Sequence, residues 1–344
     1  MEREVKAVSK KMWFGLFGCL TACIASGCSA ETSQTQEVTL PYRGEMKTAP
    51  HSQTDGAYTA YTPISDVAGD PVFADYGRLL FPQQPWYYNG RTLGSLQLTW
   101  YSCIDPKKTV EIANYLKKRA EAGETIFYDI YTEEEKAADS EKNNTGLFFF
   151  KGRAGAPFAV CSAGGGFAYV AAMHDSFPQA LELSKRGYNA FALIYRPDAQ
   201  KACEDLSRAI AFIFAHADEL GVRTYGYSLW GGSAGARMAA WVGSYGTAAF
   251  SGGNLPKPAA VIMQYTGYSE YSAADPPTYA CVGEEDGIAD WLTMKRRLQK
   301  LKALGIDTEF HHYPGLRHGF GLGTGTPAEG WLDEAVCFWE RQLQ

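Results

Sequence analysis

From residue 125 to the end of the chain, short apolar runs of strand length alternate with longer amphipathic ones, and few folds accept that alternation. The strand-like runs are 125–131, 146–151, 158–162, 190–195, 227–230, 260–265, 278–282 and 308–313. Helix-like runs lie near 176–185, 202–220, 234–243, 288–304 and 328–342. A short link joins the first two strands, and helices separate the later ones. The pattern predicts an α/β domain over 124–344, with a mostly parallel eight-stranded sheet and helices on both faces. In such sheets chemistry gathers at the carboxyl ends of the strands.

One of those ends carries Gly231-Gly232-Ser233-Ala234-Gly235, between the strand at 227–230 and an Ala-rich helix. A serine hydroxyl is a poor nucleophile near neutral pH and needs an exposed, sharp turn where a base can reach it. Glycines two before and two after the serine remove the Cβ clashes of such an elbow. GxSxG alone is common by chance; its place between strand and helix makes Ser233 the candidate nucleophile. Attack on an acyl carbon creates an oxyanion that needs N–H donors, each worth about 3 kcal/mol. Ala163-Gly164-Gly165-Gly166-Phe167 follows the strand at 158–162. Gly165 and Gly166, with the N–H of Ala234, are therefore the candidate oxyanion donors.

A base and its orienting acid should follow in the order serine, acid, histidine. After the strand at 278–282 come Glu284, Glu285 and Asp286. Asp286 is preferred, with Glu285 and then Glu284 behind it, and any of the three would also suit a helix N-cap. Among six histidines, His318 follows the last strand and is the candidate base. His311 and His312 fall inside that strand. His174 lies just past the glycine loop, placed to touch substrate, but it precedes the serine. Phe167, Tyr169 and Trp230 adjoin the motifs and are candidates for shaping the acyl or sugar pocket, although core packing is the commoner role of such residues.

Gly164-Gly165-Gly166-Phe167, Gly231-Gly232-Ser233-Ala234-Gly235, Asp286 after Gly283, and His318-Gly319-Phe320 stand in one order along the chain. From about residue 124 onward the sequence resembles the bacterial acetyl esterase and lipase group of α/β-hydrolases, which includes carbohydrate esterases acting on plant polysaccharides. The resemblance implies the α/β-hydrolase fold, a Ser-His-Asp acyl-enzyme mechanism without metal or organic cofactor, and a small acylated substrate, an acetyl ester of carbohydrate foremost. One departure is Ala163, where hormone-sensitive-lipase-like esterases open the glycine motif with histidine; it points toward the small sugar-ester members. A peptidase of the prolyl-oligopeptidase type would share fold and triad order. It would normally carry a repeat-built propeller, which about 100 residues of non-repeating lead-in cannot supply. An inactive surface binding lipoprotein is a third reading, against which the intact Ser233, Asp286 and His318 argue.

The first residues differ in texture from the rest. Arg3, Lys6, Lys10 and Lys11 precede an apolar stretch at 12–25, too short to span a bilayer comfortably and suited to an export signal. Leu20-Thr21-Ala22-Cys23 resembles a bacterial lipobox, which implies a signal over 1–22 and lipidation of Cys23, with Cys28 as alternative; a plain secretory signal cut near Ala30 is the simpler reading. We expect export, attachment to the outer face of a bacterial membrane through the lipid alone, a flexible tether over 23–60 and an ordered lead-in over 61–123 packed on the catalytic domain. A formal charge of −6 without a Lys/Arg stripe argues against nucleic acid. Cys103, Cys161, Cys203, Cys281 and Cys337 lie far apart without CxxC or Cys-His spacing, so buried free thiols are expected, with room for one disulfide in an exported protein.

Overall fold

The computed structural model describes residues 56–344. The signal segment 1–22, most of the tether and both lipidation candidates, Cys23 and Cys28, lie outside them. Residues 56–123 form helix α1 (Ile64–Ala68), a 3₁₀ segment (Pro71–Leu80), the antiparallel pair β1 (Tyr88–Asn89) and β2 (Gln97–Leu98), and helix α2 (Pro106–Glu121). The Asp105-Pro106 pair starts α2: Asp105 accepts from the Lys107 N–H, and Pro106 sits where no N–H is needed.

The main sheet follows: β3 (Phe127–Tyr128), β4 (Gly146–Phe150), β5 (Pro157–Ser162), β6 (Asn189–Ile194), β7 (Arg223–Gly232), β8 (Ala260–Gln264), β9 (Thr278–Gly283) and β10 (Thr308–Tyr313). Its order is β10-β9-β8-β7-β5-β6-β4-β3, parallel from β10 to β6 and antiparallel at β4 and β3. Strands β4, β5, β6, β8 and β9 are buried at every position, which is why they read as unbroken apolar runs. Edge strand β10 keeps its polar residues half exposed.

The helices are α3 (Glu133–Ala138), α4 (Ser176–Lys185), α5 (Ala199–Ala215), α6 (Ala217–Leu220), α7 (Ala234–Tyr245), α8 (Trp291–Ala303) and α9 (Trp331–Arg341). The chain runs β5, α4, β6 in one direction across the sheet, then β6, α5, β7 back past β5. Right-handed crossovers in opposite directions put α4 and α5 on opposite faces. The reversal leaves a crevice at the carboxyl ends of β5 and β7.

Two local expectations change. The run at 125–131 pairs over only Phe127 and Tyr128, and the link to β4 is not short. It holds α3, opened by a capping box in which Thr132 and Glu135 bond each other's backbone N–H. Helices α5, α8 and α9 begin where caps dictate: Asp198 and Asp290 accept first-turn N–H groups, and left-handed Gly330 precedes α9. All five described cysteines are free thiols; Cys161, Cys203 and Cys281 are buried, whereas Cys103 is half-buried and Cys337 faces solvent from α9. Among the described residues no helix is long and apolar enough to cross a membrane.

Candidate active site

Strand β7 ends in Gly231-Gly232, the chain reverses at Ser233, and α7 starts at Ala234. Ser233 takes φ 52° and ψ −114°, a conformation a residue with a Cβ adopts only under compulsion. The compulsion comes from close backbone packing. A Cβ on Gly235 would lie 2.0 Å from the Ser162 carbonyl oxygen, and one on Gly232 2.4 Å from Asp175 Oδ2. The Ser233 N–H donates to the Gln264 carbonyl at the end of β8 (2.9 Å).

His318 Nε2 lies 3.1 Å from Ser233 Oγ, and its Nδ1 lies 2.7 Å from Asp286 Oδ2. The tautomer with its proton on Nδ1 satisfies both contacts, leaving Nε2 to accept the serine hydroxyl. The Asp286 side chain is fully buried, and its Oδ1 accepts the N–H groups of Ile288 and Ala289. One carboxylate thus does both jobs that the sequence reading set against each other, holding the histidine and capping a turn. Glu284 turns instead to His312 Nδ1 (2.5 Å), and Glu285 faces solvent.

In the glycine loop, the Gly164 N–H donates to Asp175 Oδ2 (2.7 Å) and is occupied. The next two residues are left-handed, Gly165 at φ 124° and Gly166 at φ 65°. Among the described residues the N–H groups of Gly165, Gly166 and Ala234 donate no hydrogen bond, so these three remain for an oxyanion. Tyr195 donates its hydroxyl to the Ala163 carbonyl (2.7 Å) and pins the loop's first residue.

The aromatic candidates separate. Phe167, half-buried at φ 57°, stands beside the donors with its ring stacked on Trp241. Trp230 is no pocket residue. It is wholly buried, donates Nε1–H to Ser228 Oγ, and packs against Trp331 and Trp339 of α9, because alternate residues of β7 face opposite sides of the sheet. Tyr169 is also buried, with its hydroxyl on the Thr99 carbonyl. His174 is buried, which lowers its pKa from 6.5 to about 4, and it lines a cavity with Cys103, Met173 and Gly321.

Two groups escaped the sequence reading. Asp175 is completely buried and accepts four hydrogen bonds: from Gly164 N–H and the Tyr101 hydroxyl (2.7 Å each), the Tyr265 hydroxyl (2.9 Å) and Gln179 Nε2 (3.1 Å). Burial raises its pKa, and the donors from Gly164, Tyr101 and Tyr265 work against that rise. The second group is the lead-in strap Trp100-Tyr101-Ser102. Ser102 donates its N–H to the Gly319 carbonyl (3.2 Å) and its Oγ to the His318 carbonyl (2.7 Å). A Cβ on Gly166 would meet the Trp100 indole at 3.1 Å, so this ring walls the oxyanion loop. Trp100, at φ 72°, joins Phe167, Ser233 and Tyr265 among the non-glycine residues held at positive φ, so three strained residues stand around a strained Ser233. A lone Asp after an apolar loop was the only sequence signal for Asp175; the strap carried none.

Residues 150–303 match the BD-FAE family. No curated protein matches the chain in sequence. Among solved structures, the chain is similar to an acetyl ester-xyloside bifunctional hydrolase from Caldicellulosiruptor lactoaceticus, at 22% identity and TM-score 0.52 over 57% of this chain and 88% of that one. It is similar to MGS-M1, an α/β hydrolase from a Medee basin deep-sea metagenome library, at 19% identity and TM-score 0.50 over 58% and 93%. A thermophilic esterase from Thermogutta terrifontis, solved with propionate bound, matches at 21% identity and TM-score 0.50 over 57% and 89%. Sheet order and these matches together give the chain the α/β-hydrolase fold, with residues 150–303 matching the BD-FAE family.

Proposed function

We propose that this α/β-hydrolase is a serine esterase that removes short acyl groups, acetyl foremost, from plant-derived carbohydrate. It would work outside a bacterial membrane, held there by lipid on Cys23. One observation carries the reading: the unbroken hydrogen-bonded line Ser233, His318, Asp286 beside three uncommitted N–H groups. In the first half-reaction Ser233 Oγ attacks the ester carbonyl while His318 Nε2 takes its proton. The new C–O⁻ would be met by the N–H groups of Gly165, Gly166 and Ala234, and Asp286 stabilises the imidazolium. His318 then gives that proton to the leaving alcohol. In the second half it takes a proton from water, which attacks the acyl carbon; the intermediate then collapses, His318 returns the proton to Ser233 Oγ, and the acid and free Ser233 are released.

The choice of acetylated carbohydrate as first substrate rests on the sequence resemblance and on the acetyl ester-xyloside hydrolase that shares the fold. The test is turnover of p-nitrophenyl acetate, followed by acetate release from acetylated xylo-oligosaccharides. Ser233→Ala should lower kcat by at least about ten-thousandfold. Equal rates in wild type and variant would sink the esterase reading, and release of prolyl dipeptides in place of acetate would move it to a peptidase.

A further inference from the structure

Arg237 stands one helical turn after the nucleophile, its N–H donating to the Ser233 carbonyl (3.2 Å). Side chains on a helix tend to lean toward its N-terminus, which for α7 is the Ser233 end. That end carries the positive pole of the helix dipole, which disfavours a cation. The residue is half-buried, and no carboxylate of the described residues pairs with it. The other buried or partly buried arginines are compensated: Arg196 by Asp205, Arg208 by Glu135, Arg297 by Asp275. Arg237 has only the Trp241 ring, with its Cζ 5.9 Å from the centroid, while Glu270 and Tyr268 act on it from a distance. Phe167, stacked on the same Trp241, connects this spot to the oxyanion donors.

A cation near a like pole, partly desolvated and given no paired anion, is costly to stability, and such local conflicts mark functional positions. We propose that Arg237 is a specificity residue that binds a carboxylate carried by the ester substrate, a few bonds from the scissile carbonyl. This rests on the esterase reading above and narrows it from neutral to anionic esters. Arginine suits the task because its planar fork can take both carboxylate oxygens at once. The carboxylate has two sources, an acyl group derived from a dicarboxylic acid or an alcohol such as a uronate sugar, and both present the same chemistry to the guanidinium.

The experiment measures kcat/KM for two matched pairs with wild type, Arg237→Gln and Arg237→Lys. Mono-p-nitrophenyl glutarate against p-nitrophenyl valerate places the charge on the acyl side. 4-Acetoxybenzoate against its methyl ester places it on the alcohol side. Wild type should favour the anionic member of one pair, and that pair names the source. Arg237→Gln should lower the anionic-to-neutral ratio by about ten- to a hundredfold, the scale of one charge-assisted contact. Arg237→Lys should restore part of the ratio, which a purely structural role would not do. A wild-type ratio near one in both pairs, or a ratio unmoved by Arg237→Gln, overturns the proposal while Ser233-dependent turnover of the neutral esters leaves the esterase reading standing. Turnover of none of the four esters overturns both.

Discussion

Replacing Asp175 by Asn tests whether a carboxylate that never meets substrate holds the oxyanion loop in register. The carboxylate serves four donors, two on each oxygen. Asparagine keeps one acceptor oxygen, so at least one pair of donors loses its partner or faces an amide N–H. Bonds to a charged acceptor contribute about 1.5–3 kcal/mol each, giving a gross loss of about 3–6 kcal/mol for two. Removing a fully desolvated charge returns part of that, because burial already raises the Asp175 pKa. A net destabilisation of about 2–4 kcal/mol follows, or a fall in Tm of about 3–6 °C for a chain this size. If the freed Gly164 lets one oxyanion donor drift, kcat drops about a hundredfold with a smaller change in KM, since the donors act on the transition state. Thermal unfolding and p-nitrophenyl acetate kinetics on one preparation give both numbers. A Tm within about 2 °C of wild type together with kcat within about twofold would refute the reasoning.

Two further perturbations probe the surroundings of the site. Gly235→Ala drives a Cβ to 2.0 Å from a main-chain oxygen of β5 that cannot yield, so a loss of about 4 kcal/mol or more and little soluble protein are expected; soluble variant with the wild-type Tm would contradict this. His174 is held neutral by burial, with a pKa lowered to about 4. Below its unfolded pKa of about 6.5 the unfolded chain binds a proton that the folded chain refuses, so stability is complete above that value and falls as pH drops toward 4. His174→Gln should flatten the fall by up to about 3 kcal/mol, and Tm curves that stay parallel between about pH 7 and pH 4.5 would count against it.

What could be read in the sequence was what is local. The elbow at Ser233 and the glycine loop each complete their geometry within a few residues, so strand, turn and helix signals sufficed to locate them. Asp286 and His318 needed only chain order and a position after a strand. Trp230 was misplaced because proximity along the chain says nothing about which side of β7 a residue faces; packing against α9 decides that. Asp175 and Tyr101 meet across 74 residues, and no periodicity reports such a pairing. Arg237 was hidden for the opposite reason: its significance lies in the carboxylate that is not beside it.

The strap at Trp100-Tyr101-Ser102 ties the beginning of the described chain to its end. The Ser102 to His318 bond spans 216 residues. Closing a loop of that length costs on the order of 5 kcal/mol of chain entropy, which the local contacts of the sheet and helices do not have to meet. Pairing of strands close in sequence therefore comes first during refolding, and the join between the two ends comes late. Regained hydrolysis would then trail regained circular dichroism, making enzymatic rate a clock for the final closure of the chain. The BD-FAE stretch at 150–303 contains neither side of that join. A fragment trimmed to it would keep Ser233 and Asp286 while losing both His318 and the segment that anchors its loop.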